Sequence, residues 1–160
     1  MKTMEQATAE INLSVKILNI MLEEFYLRDK LPIQVAKSLD KAKIQFEFNV
    51  GINVDVAKKT ITIELKTNFF DEEKKKNNIG HMNSKGIFEI ANLDDITSKT
   101  EGKLPNVVLA SLIGIAISST RGFLILKSEK TFMEGVIMPV INPMSFFQQP
   151  VKIEQTTKKF

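Results

Sequence analysis

From Ile44 to Val56 every second position is apolar: Ile44, Phe46, Phe48, Val50, Ile52, Val54 and Val56 alternate with Gln45, Glu47, Asn49, Gly51, Asn53 and Asp55. Successive side chains of an extended chain point to opposite faces, so this period predicts a strand with one buried face. Four residues, Ala57-Lys58-Lys59-Thr60, separate it from a second alternating run through Ile61, Ile63, Leu65, Thr67 and Phe69. That spacing predicts an antiparallel hairpin. Gly51 lies inside the first strand, where a glycine marks a bulge that bends it. The stretch Asp71 to Asn78, DEEKKKNN, reads as a charged, solvated tip, and GIFEI at Gly86 to Ile90 predicts a further short strand.

Upstream, Ile11, Leu13, Val15 and Ile17 alternate, and the phase then slips to Leu18, Ile20 and Leu22. A strand with a bulge near Ile17 produces that slip; a short amphipathic helix through Ile17, Met21 and Phe25 is the competing reading. Leu31 to Lys43 contains Pro32 and is a connection. After the strands, Pro105 suits the first turn of a helix, and the uncharged stretch from Asn106 ends at Arg121 with Gly122 as the expected stop. Ser111, Gly114, Ser118 and Gly122 fall on one face of that helix, where small side chains let another helix approach closely, within the subunit or across a symmetric interface. Met138-Pro139-Val140-Ile141-Asn142-Pro143 is extended by its prolines. Strands first and a long helix afterwards predict an α+β chain, a four-stranded antiparallel sheet followed by a long helix. One domain is expected over residues 1–149, with a flexible, polar and basic tail over 150–160.

Composition narrows the chemistry. The chain has 160 residues, 43% hydrophobic and 26% charged, enough for one core. It has no cysteine, so thiolate catalysis, disulfides and Cys-based metal sites are excluded. His81 is the lone histidine and leaves no triad and no His-based metal site. The adjacent acid pairs Glu23-Glu24, Glu72-Glu73 and Asp94-Asp95 do not make a dyad on a strand, where neighbours face opposite ways. The expectation is a protein that is not an enzyme and needs no cofactor and no metal. The net charge of +3 rests almost wholly on scattered lysines, with Arg28 and Arg121 the only arginines, which argues against nucleic acid. The uncharged run Leu104 to Thr120, which no other exceeds, falls short of the roughly 20 apolar residues of a bilayer span, so membrane insertion is not expected. Met1 to Glu10 lacks the basic and apolar regions of a signal peptide, which points to a cytoplasmic location.

Taken in order, GIFEIAN at Gly86 to Asn92, LPNVVL at Leu104 to Leu109, ISSTRG at Ile117 to Gly122 and PVIN at Pro139 to Asn142 resemble the SecB family of protein-export chaperones. The resemblance implies a four-stranded sheet with a helical layer, assembled as a homotetrameric dimer of dimers. It also implies ATP-independent holding of unfolded polypeptides in apolar grooves. By matching position, the groove would be lined by Ile44, Phe46 and Phe48 and, on the crossover before the helix, by Leu93, Ile96 and Leu104, with Phe146 and Phe147 as a cap. The surface that faces the export motor ATPase in the family would carry Glu24, Arg28 and His81, of which Glu24 alone keeps the family's negative sign. The sequence pI of about 9.0 and about eight extra residues around Lys127 to Met138 also depart from the family. Pro143 and Pro150 bracket only a short final helix. Two roles fit the resemblance: general holding of preproteins for export, or dedicated protection of one client such as an antitoxin, as in toxin–antitoxin–chaperone systems. The alternative is a homo-oligomeric structural protein that reuses the same shape.

Overall fold

The computed structural model describes residues 12–28, 40–71, 78–148 and 153–154. Its sheet is built from β1 (Val15–Leu27), β2 (Ile44–Asp55), β3 (Thr60–Asp71) and β4 (Asn78–Ile90), all antiparallel to their neighbours. A two-residue β5 (Ile153–Glu154) adds in parallel to β2, giving the order β1-β4-β3-β2-β5. Two helices follow β4: the short α1 (Leu93–Lys99) and the long α2 (Asn106–Ser128), which lies over β1, β3 and β4. The expected α+β plan of four antiparallel strands and a long helix is therefore the one observed.

The core forms where the inner faces of β3 and β4 meet α2. Ile61, Ile63, Leu65 and Phe69 from β3, and Met82, Phe88 and Ile90 from β4, pack against Leu109, Leu112, Ile113, Ala116, Ile117 and Leu124. The helical positions recur every three or four residues, as an amphipathic helix on a sheet requires. One polar contact crosses this layer: the Thr120 hydroxyl donates to Ala116 O at 2.7 Å, so the Ser84 hydroxyl, 2.6 Å away, is the donor to Thr120 Oγ1. The Val56–Lys59 turn closes with Lys59 at φ 55° and a Lys59 N to Val56 O bond, and its Lys59 ammonium reaches Asp94 of α1 at 2.8 Å.

Several expectations change on contact with the structure. β1 is a strand and not a helix, with one bulge between Ile17 and Asn19, where the phase slips, and another between Leu22 and Glu24. Gly51 marks no bulge, since β2 and β3 pair without interruption from Ile44↔Asp71 to Asp55↔Thr60. β4 runs over Asn78–Ile90 and not only Gly86 to Ile90. Asp71 and Asn78, assigned to the charged tip, belong to strands, and residues 72–77 lie outside those described. Gly122 does not stop α2, because Leu124 and Ser128 continue its buried face; the helix ends where Lys130 turns left-handed at φ 60°. Of the connection from Leu31, residues 31–39 are not described, and Lys41–Lys43 form a single 3-10 turn into β2.

Candidate functional site

β2 lies beyond the strands that α2 covers, and its inner face is incompletely buried. Ile44 at the start of the row and Ile52 within it are enclosed, whereas Phe46, Phe48, Val50 and Val54 are half-buried. The row is stiff because its rings brace one another. Phe46 and Phe48 lie near-parallel with centroids 6.2 Å apart, and Phe46 meets the buried Phe69 edge-on at 5.6 Å. Beneath Phe48, across the register, Thr67 is fully buried, and its hydroxyl has no hydrogen-bond partner among the described residues. Gln45, Phe46, Glu47 and Phe70 line a shallow, open hollow of about 180 Å³. Such a volume falls below the roughly 300 Å³ at which small-molecule pockets begin. The surface offers apolar side chains and strand backbone, which suits an extended chain better than a compact ligand.

The residues assigned to this groove do not all come together. Ile44, Phe46 and Phe48 come together in the β2 row, and Val50 and Val54, continuing the same alternation, extend it. Leu93 and Ile96 do not face an open groove: they are 0% and 5% exposed, because α1 has no other apolar face with which to dock after β4. Leu104 is half-buried on the approach to α2. Phe146 and Phe147 sit half-buried in the 3-10 turn Pro143–Gln148, which packs against α2 beside Gly114. Between the two prolines, Pro143 and Pro150, the described chain thus forms a 3-10 helix and not an α-helix. Among the described residues no three His, Asp or Glu side chains converge as a metal site.

On the opposite face of the sheet, the structure brings Glu24 and His81 together. Glu24 Oε1 is 3.2 Å from His81 Nε2, its other oxygen accepts from Asn83 Nδ2 at 2.7 Å, and the His81 ring stacks on Tyr26 at 5.2 Å. Arg28 follows at the end of β1, its backbone N–H donating to Ile79 O. Farther along, Lys85 bridges Glu23 at 2.7 Å and Glu64 at 3.3 Å. The Glu23 hydrogen bond first, and Glu64 with it, raises the Lys85 pKa above its ordinary 10.5, so this charge pairing is intact at neutral pH. Lys85 therefore offsets the acids Glu23 and Glu64 on this face.

No family model and no curated protein matches the sequence. Among solved structures, the Mycobacterium tuberculosis Rv1957 SecB-like chaperone, in complex with a ChAD peptide from the Rv1956 HigA1 antitoxin, superposes with a TM-score of 0.57. The match covers 79% of this chain and 90% of that one at 10% identity. The fold is SecB-like. A protein of unknown function from Streptococcus agalactiae aligns over 81% of this chain and all of its own length at 14% identity, with a TM-score of 0.43.

Within this SecB-like fold, α2 presents an outward face that is largely uncovered among the described residues. Ser111, Ser118 and Gly122 are exposed there, Gly114 is partly covered by Pro143, and Val107 and Ile125 continue the row at 58% and 51% exposure. The extra residues before PVIN form turns and then an extended strap. Val136 and Met138 point into the core, and Arg121 fixes the strap by donating to Met138 O and Pro139 O at 3.2 and 3.0 Å. Ile137 and Val140 project outward at 72% and 92% exposure. By length and composition α2 could cross a bilayer, but half of it is buried against the sheet and Arg121 interrupts it. Its apolar character is that of a core helix whose outward positions, Val107 and Ile125 among them, are exposed.

Proposed function

We propose that this chain is an ATP-independent holding chaperone that binds unfolded polypeptide along the β2 row. The observation that carries the reading is the half-buried aromatic and aliphatic strip on an outer strand that α2 leaves uncovered. Covering such a strip removes apolar area from water at roughly 25 cal/mol per Å², with no need for chemistry or nucleotide. The SecB-like fold supports the reading, as does the Rv1957 chaperone's complex with an antitoxin peptide. Because Lys85 offsets Glu23 and Glu64 on the outer face, we favour a dedicated client, such as an antitoxin, over handoff of preproteins to an acid-seeking export motor ATPase. The outward face of α2 then joins copies of the chain into a homo-oligomer, the dimer of dimers the resemblance implies.

The test is dilution of a slow-refolding polypeptide out of denaturant in the presence of excess chain and without ATP. The expected result is delayed refolding and suppressed aggregation, lost in a Phe46→Asp, Phe48→Asp variant that keeps its circular dichroism. Unaltered refolding with the wild-type chain refutes the holding role and leaves the structural alternative. A toxin–antitoxin gene pair beside this gene is expected for the dedicated version; its absence overturns that version.

A further inference from the structure

β2 is the outer long strand of the sheet, and among the described residues most of its twelve positions have no backbone partner on the outer edge. Among the described residues, Ile52 and Asn53 alone have partners on that side, and the partners are Ile153 and Glu154 of the chain's own C-terminal segment. The pairing is parallel, and it places Ile153 level with the enclosed Ile52 and Glu154 level with the exposed Asn53. In sequence, Val151-Lys152-Ile153-Glu154 alternates apolar and charged, the pattern a half-buried strand needs. The same edge adjoins the Phe46 and Phe48 row, and the open hollow at Gln45, Phe46, Glu47 and Phe70 draws side chains from both faces of the sheet there.

We infer that the β2 edge is the seat on which an extended client segment adds to the sheet, and that the C-terminal segment is a built-in competitor for it. The inference rests on the holding reading above. An edge recognises any extended backbone through its N–H and C=O groups, while alternate side chains meet the neighbouring pockets. Open edges also invite aggregation, so a short tethered strand that leaves when a client arrives protects the empty protein. Among the described residues the segment pairs at two positions of the edge, Ile52 and Asn53. Tethering favours the pairing, because a linked segment acts at an effective concentration on the order of millimolar. A seat filled about two thirds of the time weakens a competing client about threefold.

The experiment measures affinity for a reduced and alkylated, permanently unfolded polypeptide with full-length variants. Ile153→Pro takes a backbone N–H from the tail and with it the capacity to pair. Asn53→Cys with Glu154→Cys joins facing positions in a chain that has no other cysteine, so oxidation locks the tail and reduction frees it. The expected results are about threefold tighter binding for Ile153→Pro, weaker binding for the oxidised cross-link, and recovery on reduction. Wild-type affinity in both variants overturns the inference and leaves the groove reading standing. Absence of binding in the wild type and in every variant overturns both.

Discussion

At the scale of single residues, two buried hydroxyls make opposite predictions. Thr67 lies under Phe48 with its hydroxyl unpartnered among the described residues, so it carries a desolvation cost with no bond to offset it. Thr67→Val keeps the shape and removes the cost; the urea midpoint should rise, by about 1 kcal/mol in stability. Thr120 is the reverse case, for it accepts from Ser84 while donating to Ala116 O. Thr120→Val orphans the Ser84 hydroxyl inside the core and should lower stability by about 1–3 kcal/mol, measured in the same way. These pairings were not legible in the sequence, because nothing in Thr67 or Thr120 alone says which hydroxyl finds a partner. By contrast Phe46 and Phe48 were legible, since strict alternation fixes the face they share.

At the scale of elements, legibility followed how cleanly the two faces differ. β2 and β3 alternate apolar with polar and were plain. β4 was half hidden because its inward positions include Gly80, Ser84 and Gly86 beside Met82, Phe88 and Ile90. Each exception has a local reason. A Cβ on Gly80 would stand 2.2 Å from Tyr26 O, the Phe88 ring lies over Gly86, and Ser84 is bonded to Thr120. In β1 a bulge turned one period into two, which a helix could mimic until its pairing with β4 was seen. Leu93 and Ile96 looked like groove residues because an apolar residue on a crossover reads the same whether it faces client or core. The exposed stripe on α2 was visible as small residues and its continuation past Gly122 was not. If that stripe joins two copies, Ser118→Glu places a charge in the contact without touching the core. Sedimentation should then show a folded monomer, and an unchanged oligomer would place the interface elsewhere.

At the scale of the whole molecule, the long helix on an antiparallel sheet is a scaffold that leaves one outer strand's apolar face short of cover. Everything assigned to function follows from that shortfall: the braced phenylalanines, the outer edge, and the tail that holds part of it. The most direct measurement is a calorimetric titration of a permanently unfolded polypeptide into the chain at several temperatures, with the same polypeptide in its native form as control. The account predicts saturable binding of the unfolded form alone, with the negative heat-capacity change of buried apolar area. It also predicts at least about a tenfold loss of affinity in the Phe46→Asp, Phe48→Asp variant, the effect of losing about 1.4 kcal/mol or more of that burial. Equal binding of native and unfolded forms, or full affinity in the variant, would contradict it.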